Sequence, residues 1–136
     1  MIPEERFWFG FDDRFRWVLA ALGVWPDRAW AQIAGGLVTA RFGRWLLETP
    51  VENVAETSIS GPYSPLKAIG VRWSFTDGGL TFGTNTERGI CLRFGEAVPG
   101  GTPFVVITHP GLTLTLEEPE LFGNAIARAQ AGSASA

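Results

Sequence analysis

Cysteine, histidine, lysine and tyrosine each occur once in the 136 residues, as Cys91, His109, Lys67 and Tyr63. A lone cysteine excludes the internal disulfide that supports many small secreted domains. One histidine and one cysteine leave no C-x-x-C or H-x-x-x-H pair, whereas zinc takes three or four nitrogen or sulfur ligands. The expectation is no metal site and no cofactor. The eleven basic residues, all but Lys67 arginine, are scattered among fourteen carboxylates, for a net charge of −3 and a pI near 5.1. Without a basic cluster there is no electrostatic basis for nonspecific nucleic-acid binding or for recruitment to anionic membranes. The longest apolar run, "WVLAALGVWP" from Trp17, is half the roughly 20 residues that a membrane-spanning helix needs, so no stable membrane insertion is expected. "MIPEERFWFGFDD" has no basic region leading into an apolar stretch and does not read as a signal peptide, which makes the cytoplasm the expected location.

Large apolar side chains are abundant: ten Phe and six Trp in a chain that is 46% hydrophobic, enough for one core. A single domain over residues 1–130 is expected, with "AGSASA" (131–136) as a flexible tail. The dominant period is two, the strand signal. "AWAQI" and "LVTARF" flank Gly35-Gly36 as a hairpin, and "RWLLET" adds a strand. "VRWSFT", "LTFG" and "ICLRF", separated by "DGG" and "TNTERG", read as a three-stranded antiparallel meander whose buried face takes Val71, Trp73 and Phe75, then Leu80 and Phe82, then Ile90, Leu92 and Phe94. Phe15, Trp17, Leu19 and Ala21 alternate with Arg14, Arg16 and Val18, favouring a strand over a short helix. After Leu112, Leu114 and Leu116 the period changes: Pro119 suits a first helical position, and Leu121, Phe122, Ala125, Ile126 and Ala129 form an apolar stripe. A helix over about 118–130 is predicted, weakened at Gly123.

These elements make a mainly β fold, an antiparallel barrel or two-sheet sandwich with one C-terminal α-helix. The pattern "LVTARFGRWLLETPVENVAETSIS" and the ending "EEPELFGNAI" resemble the bacterial pleckstrin-homology-like domains. "RFGRWLLETPVENVAETSISGPY", "GGLTFGTNTERGICLRF" and "HPGLTLTLEEPE" resemble an uncharacterised family of actinobacterial proteins with no assigned activity, over roughly residues 11–127. The first resemblance implies a fold and not a function. The basic loop by which some eukaryotic relatives bind phosphoinositides has no counterpart in this sequence.

No catalytic constellation emerges. His109 in "THPGL" and Cys91 in "ICLRF" sit in ordinary turn and strand contexts, and "GGLTFGTN" lacks the Lys-Ser/Thr of a phosphate loop. Asp12-Asp13 and Glu117-Glu118 are adjacent along the chain, and not spaced across a cleft as acid-base pairs are. Two stretches remain. Trp8 with Phe7, Phe9 and Phe11 either covers an open end of the fold or mates with another chain. "SISGPYSPLKAIGV" is a loop stiffened by Pro62 and Pro65, in which Tyr63 anchors the backbone and Lys67 faces solvent, or in which both serve a rim site. The expected function is a non-enzymatic binding or assembly module with a protein partner or a second copy, and Tyr63, Lys67, Trp8 and Phe9 are its candidate residues. The alternative is a carrier or enzyme for a small hydrophobic ligand, held inside the barrel or at the Tyr63 loop.

Overall fold

In a computed structural model, residues 5–73, 79–101 and 107–134 are described. The first half is a meander: β1 (Glu5–Trp8), β2 (Ala29–Ala34), β3 (Leu37–Phe42) and β4 (Trp45–Pro50), each antiparallel to the one before. Gly35 and Gly36 take φ of 58° and 77° in the β2–β3 turn, the positive angles that a two-residue hairpin of this hand requires. Alternation fixes the faces. Ala29, Ala31 and Ile33 go inward while Trp30 and Gln32 stay on the outside.

The chain then runs through a 3-10 turn (Val51–Asn53) into β5 (Val54–Ser60), a four-residue helix, α2 (Pro65–Ala68), β6 (Gly70–Trp73) and β7 (Leu80–Gly83). The long β8 (Gly89–Gly101) and β9 (Ile107–Leu114) follow, and a terminal helix, α3, spans Pro119–Ala134. β8 is the hub. Its first half pairs with β5 and its far end with β4, while β9 lies along its other edge. The ladder therefore runs β1-β2-β3-β4-β8-β9-β7-β6, with β5 attached to β8. Beyond β1, an isolated bridge from Phe9 to Leu116 ties the start of the path to the segment after β9. Phe42 stacks on Phe82 at 5.0 Å and meets Phe9 at 5.2 Å, so this core joins strands from both halves.

The 3-10 turn interrupts the β4–β5 edge opposite β8, and a side chain repairs the gap. Asn53 donates to the Glu96 carbonyl at 2.9 Å and accepts from the Glu96 N–H at 2.8 Å, replacing a backbone pair. Gln130 of α3 donates to the carbonyls of Val51 and Val54 at 3.0 and 2.7 Å, pinning the helix to the same place.

Four expectations change. Residues 13–15 form a 3-10 turn and Arg16–Ala21 a helix, α1, where a strand was favoured. Asp12 starts that turn by accepting from the Arg14 N–H, and of the apolar residues only Leu19 is buried. The second-half strands do not form a sequential antiparallel meander: β6 and β7 pair, but β9 lies between β7 and β8 and runs parallel to β7. Thr84 is the reason in part, because its N–H and hydroxyl bond to Thr115 and to the Gly10 carbonyl, directing the chain away from a tight return. Leu121, placed on the buried stripe of α3, is 50% exposed, and the helix continues to Ala134, into the segment read as a tail. The "DGG" turn lies, except for Gly79, outside the described residues.

Candidate functional site

The aromatic run at the N-terminus is divided by strand alternation. Phe7 and Phe9 point inward, where Phe7 meets Phe122 edge-on at 5.2 Å and Phe9 is buried. Trp8 points outward and is 44% exposed. Its cross-strand neighbour on β2 is Trp30, and Arg6 lies with its guanidinium 4.1 Å from the Trp30 ring centre and 5.9 Å from that of Trp8. Two bonds from Arg6 to the Gln32 side-chain oxygen, at 3.0 and 2.7 Å, hold the guanidinium in place. The outcome is a preformed platform of two indoles and one cation on the outside of the sheet.

Tryptophan is on the surface elsewhere too. Trp17 and Trp25 are 84% and 48% exposed, Trp30 and Trp45 half-buried; no tryptophan whose side chain is described is fully buried. The interior is filled by Phe42, Phe82, Phe122 and aliphatic residues instead. On α1, Trp17 and Val18 face outward, and Leu22, just past its end, is also exposed. A tryptophan and a valine on the outward side depart from the usual polar outer face of a surface helix.

The loop of residues 61–64 is built as an anchored corner. The Tyr63 hydroxyl donates to the Ser60 carbonyl at 3.0 Å and lies 2.5 Å from the Ser60 hydroxyl, while the Tyr63 N–H donates to the Thr86 carbonyl at 2.7 Å. Burial raises the Tyr63 pKa above its ordinary 10.0, against the opposing effect of the Ser60 hydrogen bond. Gly61, at φ 125°, leaves no room for a side chain, since a Cβ there would lie 2.4 Å from the Glu87 carbonyl oxygen. Lys67 belongs to α2, and the position of its side chain lies outside the described residues.

A polar cleft of about 360 Å3 opens beside this loop's neighbour, the 84–88 turn, lined by Gly10, Asp12, Asn85, Glu87, Arg88 and Glu117. Its charges are already engaged in part: Asp12 pairs with Arg14 at 2.8 Å and Arg88 with Glu120. The Arg14 side-chain bond lowers the Asp12 pKa below the ordinary carboxylate range. Among the described residues no group of three His, Cys, Asp or Glu side chains is placed to hold a metal ion. His109 is buried on β9 opposite Val98, whereas Cys91 on β8 lies opposite Thr113. Four strand positions, on the order of 13 Å, separate the two, too far for a Cys–His pair.

Of the four candidate residues, Trp8 is on the platform, Phe9 is in the core and Tyr63 is an anchor with its hydroxyl occupied. Arg6, Trp30 and Gln32 were not among the candidates. Alternation in "AWAQI" already placed Trp30 opposite the face of Ala29 and Ala31, but its pairing with Trp8 needed the β1–β2 register. No family model, no curated protein and no solved structure matches the chain.

Proposed function

We propose that the chain is a non-enzymatic binding or assembly module that meets another protein through tryptophans held on its outer surface. One observation carries the reading: three tryptophans expose 44%, 84% and 48% of their surface. Tryptophan and arginine are the residues that dominate binding energy when an interface closes over them. Arg6, fixed by Gln32 between two indoles, has little further freedom to lose on docking, which lowers the cost of association. The scaffold we propose is of the pleckstrin-homology-like type, supported by the C-terminal helix packed on the sheet and by the Phe9–Leu116 bridge between its ends. The parallel β7–β9 pair departs from an all-antiparallel barrel, so the proposal rests on the surface and not on the fold's name.

Photo-crosslinking from position 8, in the cells that express the protein, tests it. A discrete protein adduct at position 8 that is lost with Trp30→Ala is expected. Adducts no different from those formed at exposed Arg44 would overturn the reading.

A small-ligand reading is favoured by one feature only, an open cleft of about 380 Å3 between β7, β8 and β9, lined by Leu80, Cys91, Leu92 and Leu112. That volume lies in the range of ligand pockets. An apolar dye that binds the protein and is expelled by alkylation of Cys91 would support it; dye binding indifferent to alkylation would remove it.

A further inference from the structure

Among the described strands, three lie at the margins of the sheet, and they differ in how open they are. β1 and β6 have four residues each, and each contains an arginine, Arg6 or Arg72. β5 has seven residues, no lysine or proline, and a single charge, Glu56, which is tied to Arg93 at 2.6 Å. It pairs with β8 on one side, and no described residue pairs with its other side. Ala55 to Ile59 are five consecutive exposed residues. The carbonyls at its two ends are taken, Val54 by Gln130 and Ser60 by Tyr63, which leaves the stretch between them open. Long strand edges without charge or proline are templates for pairing with another chain.

We propose that this edge pairs with the same edge of a second copy, forming an antiparallel two-fold junction that continues the sheet from one molecule into the other. The inference goes beyond the tryptophan reading above, since this edge is a different surface from the Trp8–Trp30 platform. The sequence limits the register. Centred on Ser58, the junction sets Thr57 opposite Ile59 and Glu56 opposite Ser60, with the bulge at Ala55 and Pro62 ending the ladder. Centred on Glu56 it would set that carboxylate against its own copy, which is destabilising, and centred on Ser60 it would draw Pro62 into the ladder.

The helices leave room for it. Thr57 and Ile59 share a face with Leu92 and Ile90, the face that α3 covers, yet Ile59 is 45% exposed. A groove of about 340 Å3, lined by Thr57, Ile59, Ile90, Gly123, Asn124 and Ala127, runs between the strand edge and the helix. Gly123 seats α3 over β8, since a Cβ there would lie 3.1 Å from the Ile90 side chain. The two-fold sets the α3 helices of the two copies on the same face of the continued sheet, on either side of the paired β5 strands. Thr57 and Ile59 of both copies fill the space between.

The test is sedimentation equilibrium of the full chain, together with disulfide trapping. In a Cys91→Ser background, Ser58→Cys places the sole thiol on the two-fold, and oxidation should give a covalent dimer at least tenfold faster than Leu37→Cys in the same background. Ile59→Lys, with its fold checked by circular dichroism, should weaken the wild-type dimer at least tenfold. A chain that stays monomeric to about 100 µM, well above the micromolar range of ordinary specific complexes, overturns both this junction and self-assembly. A dimer that ignores Ile59→Lys and crosslinks no faster at position 58 than at 37 overturns the junction alone, and loss of that dimer with Trp8→Ala would move the contact to the platform.

Discussion

Tyr63 is the chain's only tyrosine, so phenolate absorbance reports on one hydroxyl. With its folded pKa raised above 10.0, the neutral phenol is the form the fold prefers. Its contribution is complete below the unfolded value near pH 10 and is lost as pH rises through the higher folded value. A spectrophotometric titration should therefore find a midpoint above 10 that returns to about 10 in denaturant; a folded midpoint at or below 10 would mean a hydroxyl open to water. Thr84→Val tests a different anchor. Thr84 is fully buried and donates to the Gly10 carbonyl at 2.6 Å while bonding Thr115, so the substitution should cost about 1–3 kcal/mol in a denaturant titration. Nothing in "FGTNTERG" announces that role, because its partners lie 74 and 31 residues away.

At the level of elements, periodicity was legible wherever one face meets the core. The Gly35-Gly36 hairpin, the alternation of Leu80 with Phe82 and of Ile90 with Leu92, and the start of α3 at Pro119 all follow from local pattern. Residues 14–21 misled because Phe15, Trp17 and Leu19 alternate with Arg14, Arg16 and Val18 as a strand would, while the outward tryptophan removes the helical stripe. The edge and the platform were not legible, since both depend on which strands become neighbours. Gly123 reads locally as a helix weakness, yet it provides the close seat on Ile90. Gly123→Ala gains about 1 kcal/mol of helix propensity against that tight contact, whereas Gly123→Leu should lose about 1–3 kcal/mol by overpacking. Equal stability of the two variants would show that α3 is not seated there. Trp17→Ala, on the exposed face of α1, should change stability by no more than about 0.5 kcal/mol, and a larger loss would mean that its ring is packed.

Across the whole molecule, β8 joins β4, β5 and β9, so hydrogen exchange should be slowest in its amides around Ile90 and Leu92 and faster in β1 and β6. Uniform protection across the sheet would contradict this. The same arrangement bears on the order in which a ribosome delivers the parts. The meander of β1 to β4 emerges first and can pair locally, but β4 and β5 wait for a strand that begins at Gly89, and β7 waits for β9. Until β8 and β9 emerge the nascent chain holds three strands that lack a neighbour, including the β5 segment that has little charge to deter contacts with other chains. Pulling force on an arrested nascent chain should therefore rise only after β9 has cleared the exit tunnel. The protein's window of vulnerability is set by the position of one strand in its gene.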